Sequence, residues 1–329
     1  MGTSSFAAII LQELARWADG RGDVRITALY CQPDRPAGRG HKLLPPPAKM
    51  AAQALHIPVF QPLNFKDEAA REALRALAPD VLAVASYGLI LPQSVLDIPA
   101  IAPINVHASL LPRLRGAAPI ERAIMNGDIQ TGVTIMHVEA ALDAGPMLAQ
   151  RAMGIDLDET AGDLHDQLAQ MGAALLAETL DAIMAGRAPA PVPQDHSLST
   201  YAAKLSKEEG FIDWARPVRA VHAHLRGVTP RPGGRTIFHI AEKQIMTKLT
   251  PPRLGRGFFL PFAGDSPPPP PGTILGLRNG HIAIACADAA YLIPELCPAD
   301  KRPMPAGAFW NGYLRGAEKA FAALPPVQE

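Results

Sequence analysis

The stretch 103–119 contains two side chains, two residues apart, that are suited to catalysis. Asn105 and His107 alternate with the apolar Ile104 and Val106, a pattern typical of a short buried β-strand in which alternate side chains share one face. An Asn carboxamide can donate hydrogen bonds to a developing oxyanion, and an imidazole can act as a general acid, a general base or an electrostatic stabiliser near neutral pH. The chain turns soon after His107, which places the pair at the carboxyl end of its strand, where open α/β sheets bind ligands.

A third group suited to the same chemistry is Asp143, in the loop Leu142–Gly145 that follows a strand-like run at 131–138. A carboxylate at this point can orient the imidazole and favour its charged form, as the orienting group does in acyl-transfer sites. The alternative is that Asn105 and His107 are a hydrogen-bonded structural pair. The residues alone leave both interpretations open.

The patterns around these residues predict the elements that position them. A continuous apolar run at 80–86 fits a parallel strand covered on both faces, and an alternating run at 24–30 predicts another strand. The segment Tyr87–Pro92 can line a pocket for a flat heterocycle or belong to the core. Apolar spacing predicts helices over 7–18, 48–55, 66–77 and 120–126, and one or two helices over 158–184.

Composition fits a folded chain of two domains. The 329 residues are 48% hydrophobic and 19% charged, which excludes an intrinsically disordered chain. No apolar run is long enough to cross a bilayer and no leader pattern is found, so we expect a cytoplasmic protein without membrane attachment. Three widely spaced cysteines indicate neither a disulfide framework nor a metal site.

The last third of the chain differs in pattern and in charge. A proline-rich stretch at 188–193 predicts an extended linker, which places a domain boundary there. Five short strand-like runs between residues 236 and 296 predict a small β-barrel. Residues 201–329 carry 16 Lys and Arg against 10 Asp and Glu. This excess favours a polyanion partner, most often nucleic acid, although a solvated charged face gives the same count.

The motifs resemble those of the 10-formyltetrahydrofolate-dependent formyltransferases. The resemblance rests on Asn105-Val-His-Ala-Ser-Leu-Leu-Pro112, Gly132-Val-Thr-Ile-Met136, Leu142-Asp-Ala-Gly145 and, for the methionyl-tRNA members, Ser206-Lys-Glu-Glu209 and Ile212-Asp-Trp214. It implies a Rossmann-like, doubly wound α/β catalytic domain over 1–187, a linker over 188–200 and an OB-like, tRNA-binding β-barrel over 201–329. Members usually have a hydrophobic strand before a Met-Gly-Thr-Pro-like turn, so the resemblance also implies that the first strand is missing here.

The resemblance implies a role for each group of residues. The reaction moves the formyl group of 10-formyltetrahydrofolate, a co-substrate, to the α-amino group of methionyl initiator tRNA for translation initiation, without a metal, and we expect a monomer. The implied catalytic residues are Asn105, His107 and Asp143. The implied folate-binding residues are Tyr87, Gly88, Leu89, Ile90, Ser109, Leu110, Leu111 and Pro112. The candidates for tRNA binding are Arg35, Arg39, Lys42, Lys204 and Lys207.

Three other functions stay open at this point. The acceptor of the same chemistry can be a small-molecule amine, such as an amino sugar or a glycinamide nucleotide, or water in a hydrolase. The chain can also be an inactive RNA-binding homologue. The basic loop around Arg39 and the basic second half disfavour a small acceptor, because such an acceptor needs neither.

Overall fold

The structure, a computed structural model, describes residues 1–37, 42–262, 267–315 and 320–325. The α-helices are α1 Ser5–Ala18, α2 Pro47–Ala54, α3 Glu68–Arg75, α4 Gln93–Leu96, α5 Pro119–Met125, α6 Ala161–Met184, α7 Val218–Gly227 and α8 Ala306–Phe309. The β-strands are β1 Leu29–Tyr30, β2 Arg35–Ala37, β3 Lys42–Leu44, β4 Val59–Phe60, β5 Val81–Val84, β6 Ala102–His107, β7 Arg115–Gly116, β8 Gln130–His137, β9 Met147–Gly154, β10 Tyr201–Ala202, β11 Arg235–Ile240, β12 Lys243–Thr250, β13 Phe259–Pro261, β14 Ile274–Arg278, β15 His281–Ala285, β16 Ala289–Ile293, β17 Glu295–Pro298, β18 Met304–Pro305 and β19 Phe321–Ala323.

The described residues divide into two compact units. The first comprises 1–119, 131–153 and 165–202, and the second comprises 120–130, 154–164 and the described residues from 203 on. The stretch 188–200, which the sequence predicts to be a linker, is included in the first unit. It is held there by backbone pairing, since Val192 and Met147 exchange two hydrogen bonds of 2.8 Å.

In the first unit, β6 lies inside a four-stranded sheet of order β5–β6–β8–β9. β5 runs parallel to β6 and β8 runs antiparallel to it, with Asn105 placed between Val84 and Met136. The helix α6 packs closely on this strand because Gly172 has no side chain: a Cβ there would lie 2.7 Å from Cγ1 of Val106. The predicted strands on either side of β6 are thus confirmed, and α6 is a single helix.

The first residues of the chain lie between β1 and β5. Gly2 forms one parallel bridge with Ala85, and its N–H donates to the carbonyl oxygen of Tyr30 at 2.9 Å. The first strand, expected to be missing, is therefore represented by a single bridge residue. The strand predicted at 24–30 pairs only at its last two residues, with β4. Its earlier part is not a strand because it borders a cavity of about 490 Å³ instead of a neighbouring strand.

The second unit contains two antiparallel sheets, of order β18–β17–β12–β11–β19 and β13–β16–β15–β14. Its hydrophobic cluster includes Trp214, Phe238, Phe258 and Tyr291. Four of the five strands predicted from the sequence are present as β11, β12, β14 and β15, whereas the fifth, predicted at 291–296, is divided between β16 and β17. These strands belong to two sheets, which a bridge between Thr273 and Phe321 connects, and closure into an OB-like barrel stays a prediction.

The motif at 206–214 has a structural role in the second unit. Glu209 forms an ion pair of 2.6 Å with Arg122, and its other oxygen accepts the N–H of Ser206 at 2.8 Å. Trp214 is buried and donates through Nε1 to the hydroxyl of Thr236 at 3.1 Å. The motif therefore joins the start of this segment to the core of the unit. None of the helices that the structure describes is long and apolar enough to cross a membrane.

Candidate active site

Asn105 and His107 lie on one face of β6, at its carboxyl end. The Asn105 side chain is half-buried, and its carboxamide has no hydrogen-bond partner among the described residues. The His107 side chain is only 6% exposed and has partners on both ring nitrogens. The carboxamide is thus able to bind a ligand at the end of the strand, whereas the imidazole is held in place.

The two ring nitrogens of His107 face different groups. Nε2 lies 2.9 Å from the carbonyl oxygen of Leu114, which can only accept a hydrogen bond, so Nε2 carries a hydrogen. Nδ1 lies 3.6 Å from Oδ2 of Asp143. Nδ1 therefore faces a carboxylate that is 13% exposed.

Asp143 is held in an uncommon backbone conformation. Its φ of 48° lies in the left-handed region, and its Oδ2 accepts the N–H of Gly116 at 2.9 Å. Gly145 fixes the end of the same loop, since a Cβ there would lie 2.1 Å from the carbonyl oxygen of His137. The loop therefore presents the carboxylate to His107 in one orientation, which suits a group that stabilises or relays a proton.

The predicted folate-binding residues at 109–112 form a loop that is bonded to the sheet. The Ser109 hydroxyl is buried and donates to a backbone carbonyl of its own loop at 2.7 Å. Thr134 accepts the N–H of Leu111 at 3.2 Å, and Gln150 donates to the carbonyl of Leu111 at 2.8 Å. Leu111 is buried, and Leu110 and Pro112 are half-buried. The Ser109 and Leu111 side chains thus shape the loop.

The other predicted folate-binding segment, Tyr87–Ile90, follows β5. The Tyr87 side chain is 2% exposed and packs near Phe65 in the core of the first unit. Burial raises the pKa of its phenol well above the usual range. Gly88, with a φ of 77°, is exposed, and Ile90 is 89% exposed. The accessible part of the segment is therefore the part after Tyr87.

The predicted tRNA-binding residues occur in both units. In the first unit, Arg35 is exposed on β2 and bonds the side chain of Gln32. Lys42 begins β3, and Arg39 lies outside the described residues. In the second unit, Lys204 and Lys207 are exposed. Because they are exposed, the side chains of Arg35, Lys204 and Lys207 are able to bind a polyanion.

One side chain at this site was not indicated by the sequence. Gln194 is 5% exposed and hydrogen-bonds both the backbone of the Asp143 loop and the guanidinium of Arg115. It lies in the proline-rich part of the chain, whose composition predicts a linker. A glutamine in such a stretch carries no signal of its own, so only the fold brings it to the site.

Family models match both halves of the chain. Residues 1–180 match the family described as formyl transferase, and residues 204–314 match the formyl transferase C-terminal domain. A solved structure of HypX from Aquifex aeolicus in complex with tetrahydrofolic acid has a TM-score of 0.55 at 19% identity, covering 80% of this chain and 44% of that one. The N-formyltransferase from Helicobacter canadensis, solved with folinic acid and dTDP-3-aminofucose, has a TM-score of 0.57 at 17% identity, covering 89% of this chain and 96% of that one. These likenesses show a shared fold.

The similarity in sequence to one curated group of enzymes is much higher. The methionyl-tRNA formyltransferase of Nitratidesulfovibrio vulgaris strain DP4 is 51% identical over 319 residues, which cover 97% of this chain and 93% of the relative. The aligned residues include most of both matched domains. The chain therefore belongs to the formyltransferase family and, within it, to the methionyl-tRNA formyltransferases.

Proposed function

We propose that this chain transfers the formyl group of 10-formyltetrahydrofolate to the α-amino group of methionine carried by initiator tRNA. The observation that supports the proposal most is the group at the end of β6, where the carboxamide of Asn105 stands beside a histidine whose Nδ1 lies 3.6 Å from Asp143. Such a group suits a reaction that passes through an oxyanion and moves one proton. Formyl transfer to an amine is a reaction of this kind.

Asn105 and His107 stabilise the negative charge that develops on the formyl oxygen. As the lone pair of the amine forms a bond to the formyl carbon, the electron pair of the carbonyl bond moves to its oxygen. The N–H of the Asn105 carboxamide donates a hydrogen bond to that oxygen, and the positive charge of the protonated His107 ring stabilises it electrostatically. In enzymes with such a site, removing one donor lowers turnover by about 10² to 10³.

Asp143 acts on charge and on the proton. Its carboxylate faces Nδ1 of His107 and stabilises the imidazolium. It also accepts the proton that the attacking amine loses, directly or through a water molecule. When the bond between the formyl carbon and N10 of the folate breaks, N10 takes up one proton. The amine loses one proton and N10 gains one, so the transfer needs neither an oxidant nor a reductant.

Two loops suit the folate. β5 and β6 are parallel neighbours, so the segment Gly88–Ile90 and the loop 109–112 both follow the carboxyl ends of adjacent strands. Gly88 is exposed, although Nε2 of Gln32 fills the place of its missing side chain, and the exposed side chain of Ile90 offers apolar surface to a flat heterocycle. Tyr87 and Ser109 support these loops from within, since both side chains are buried.

In this proposal, phosphates of the tRNA contact exposed lysine and arginine side chains. Arg35, Lys204 and Lys207 are exposed, and Arg39 and Lys42 complete the set on sequence grounds. Each phosphate that a cation neutralises releases a counterion, so binding through them weakens as salt rises. A small-molecule acceptor would not require such a set.

Formylation of purified methionyl initiator tRNA by 10-formyltetrahydrofolate tests the function. The expected result is transfer to the tRNA and none to an amino-sugar nucleotide or a glycinamide nucleotide. Asn105→Ala should lower turnover by about 10²-fold with unchanged thermal unfolding, whereas His281→Ala, in the β14–β15 hairpin, should leave turnover unchanged. Transfer to a small amine alone would overturn the acceptor, and normal turnover by Asn105→Ala would overturn the site.

A further inference from the structure

Gln194 connects two loops of the proposed active site. Its Nε2 donates to the carbonyl oxygens of Asp143 at 2.9 Å and of Gly145 at 2.8 Å. Its Oε1 accepts from the guanidinium of Arg115, at 2.6 Å from Nη2 and 3.1 Å from Nε. Both donors and both acceptor positions of this buried carboxamide are thus used within the protein.

These bonds act on the residue that faces His107. Asp143 has a left-handed conformation, which a residue with a side chain keeps only where its surroundings enforce it. Gln194 binds the carbonyl at Asp143 and the one two residues later, so it spans the turn in which this conformation occurs. The Asp143 carboxylate accepts the N–H of Gly116, the neighbour of Arg115. Asp143 is therefore fixed through its main chain and its side chain by one connected network.

The segment that carries Gln194 is anchored on both sides. Before it, Val192 and Met147 exchange two backbone hydrogen bonds. After it, the Thr200 hydroxyl accepts the N–H of Leu114 at 2.9 Å, and the Thr200 carbonyl accepts the N–H of Arg115 at 2.9 Å. β10 then pairs in parallel with β7. These anchors fix the position of Gln194 in advance, as the support of a catalytic group requires.

We propose that Gln194 is a positioning residue for formyl transfer, which holds the Asp143 carboxylate at the place beside His107 where the reaction needs it. The inference rests on the role proposed above for Asp143. Because the Gln194 carboxamide is fully used within the protein, its loss should lower turnover without a comparable change in the affinity for either substrate.

The substitution Gln194→Glu tests the contribution of the two Nε2 hydrogen bonds to turnover. The variant keeps the shape of the side chain and an acceptor for Arg115, but it places a carboxylate oxygen where Nε2 donates to two carbonyls. Gln194→Leu removes the same donors without adding charge, and it replaces the first variant if that one does not fold. Gln61→Glu is the matched control, because Nε2 of Gln61 also donates to a backbone carbonyl, that of Gln32, at 2.8 Å.

The deciding experiment measures kcat and KM in a double-mutant cycle with Asp143→Asn. Gln194→Glu should lower kcat by about 10- to 100-fold in the wild-type background, with KM changed less than about threefold. In the Asp143→Asn background the same substitution should lower kcat less than about threefold, because its effect passes through Asp143. Gln61→Glu should change kcat by the same small factor in both backgrounds.

The outcomes separate this inference from the function on which it rests. No loss of kcat from Gln194→Glu and Gln194→Leu, or an equal loss in both backgrounds, would overturn the positioning role while the function of the site stands. Normal turnover by Asp143→Asn alone would overturn the role of Asp143 and this inference together. A loss that shrinks in the Asp143→Asn background supports both.

Discussion

Replacing Asp143 with Asn should slow formyl transfer by about 10³-fold while leaving the fold intact. The carboxylate lies 3.6 Å from Nδ1 of His107, and the two side chains are 13% and 6% exposed. At that distance, with an effective dielectric constant of about 20, the attraction between a carboxylate and an imidazolium is about 4.6 kcal/mol. Each 1.36 kcal/mol corresponds to about tenfold in rate, so losing the charge costs roughly three powers of ten. An Asn oxygen can still accept the N–H of Gly116, which preserves the loop.

The assay is transfer from 10-formyltetrahydrofolate to methionyl initiator tRNA with both substrates saturating, together with thermal unfolding of each variant. Because the pair is buried, salt screens it little, so the loss should be similar at about 0.05 M and 0.3 M salt. Asp128→Asn, a carboxylate of the second unit, is the control and should keep wild-type turnover. A folded Asp143→Asn variant that retains more than about a tenth of wild-type kcat would refute this electrostatic account.

Three other results are expected. Burial, more than any other factor, lowers the pKa of His222 to about 4. Because the unfolded chain binds this proton already below about pH 6.5, the free energy of unfolding should fall by about 3 kcal/mol between pH 6.5 and pH 4. In urea titrations, His222→Gln should reduce this dependence of the unfolding free energy on pH. Lys204→Ala and Lys207→Ala should each raise KM for tRNA and reduce its salt slope by about one, with kcat unchanged. Gly145→Ala should lower kcat at least about tenfold, because the new Cβ would lie 2.1 Å from the carbonyl oxygen of His137 and would shift the loop that carries Asp143. Gly22→Ala is the control and should leave kcat unchanged, because a Cβ there would have no atom within 4 Å.

The parts of the site that depend on local pattern could be predicted from the sequence. Alternation along β6 places Asn105 and His107 on one face, because side-chain direction in a strand repeats every two residues. The distance between His107 and Asp143 could not be obtained this way, since it depends on how two loops pack. The residue types suggested Asp143 as a partner of the imidazole and the resemblance to a family supported it, and the structure brings the two side chains to 3.6 Å.

Where local pattern is interrupted, the predictions failed or were silent. Ser86 has a φ of 45°, so strand alternation does not extend to Tyr87, whose ring packs in the core and whose contact with folate stays a prediction. The run at 24–30 has the composition of a strand, but a strand needs a partner along its length, and this one has a partner only at its end. Gln194 was missed because a proline-rich stretch predicts an extended spacer whether or not it packs against a domain.

The hydrogen bonds between residues 192–202 and the catalytic loops also set the order in which the site can form during synthesis. Gln194 follows Asp143 by 51 residues, and Thr200 follows Leu114 by 86. A ribosome releases its product from the amino terminus, so β5 and β6 can pair before these later residues have been made. A nascent chain that has reached only residue 187 can contain the central strands, but it lacks the segment that supports Asp143. The proposed catalytic centre is therefore among the last parts of the first unit to be completed.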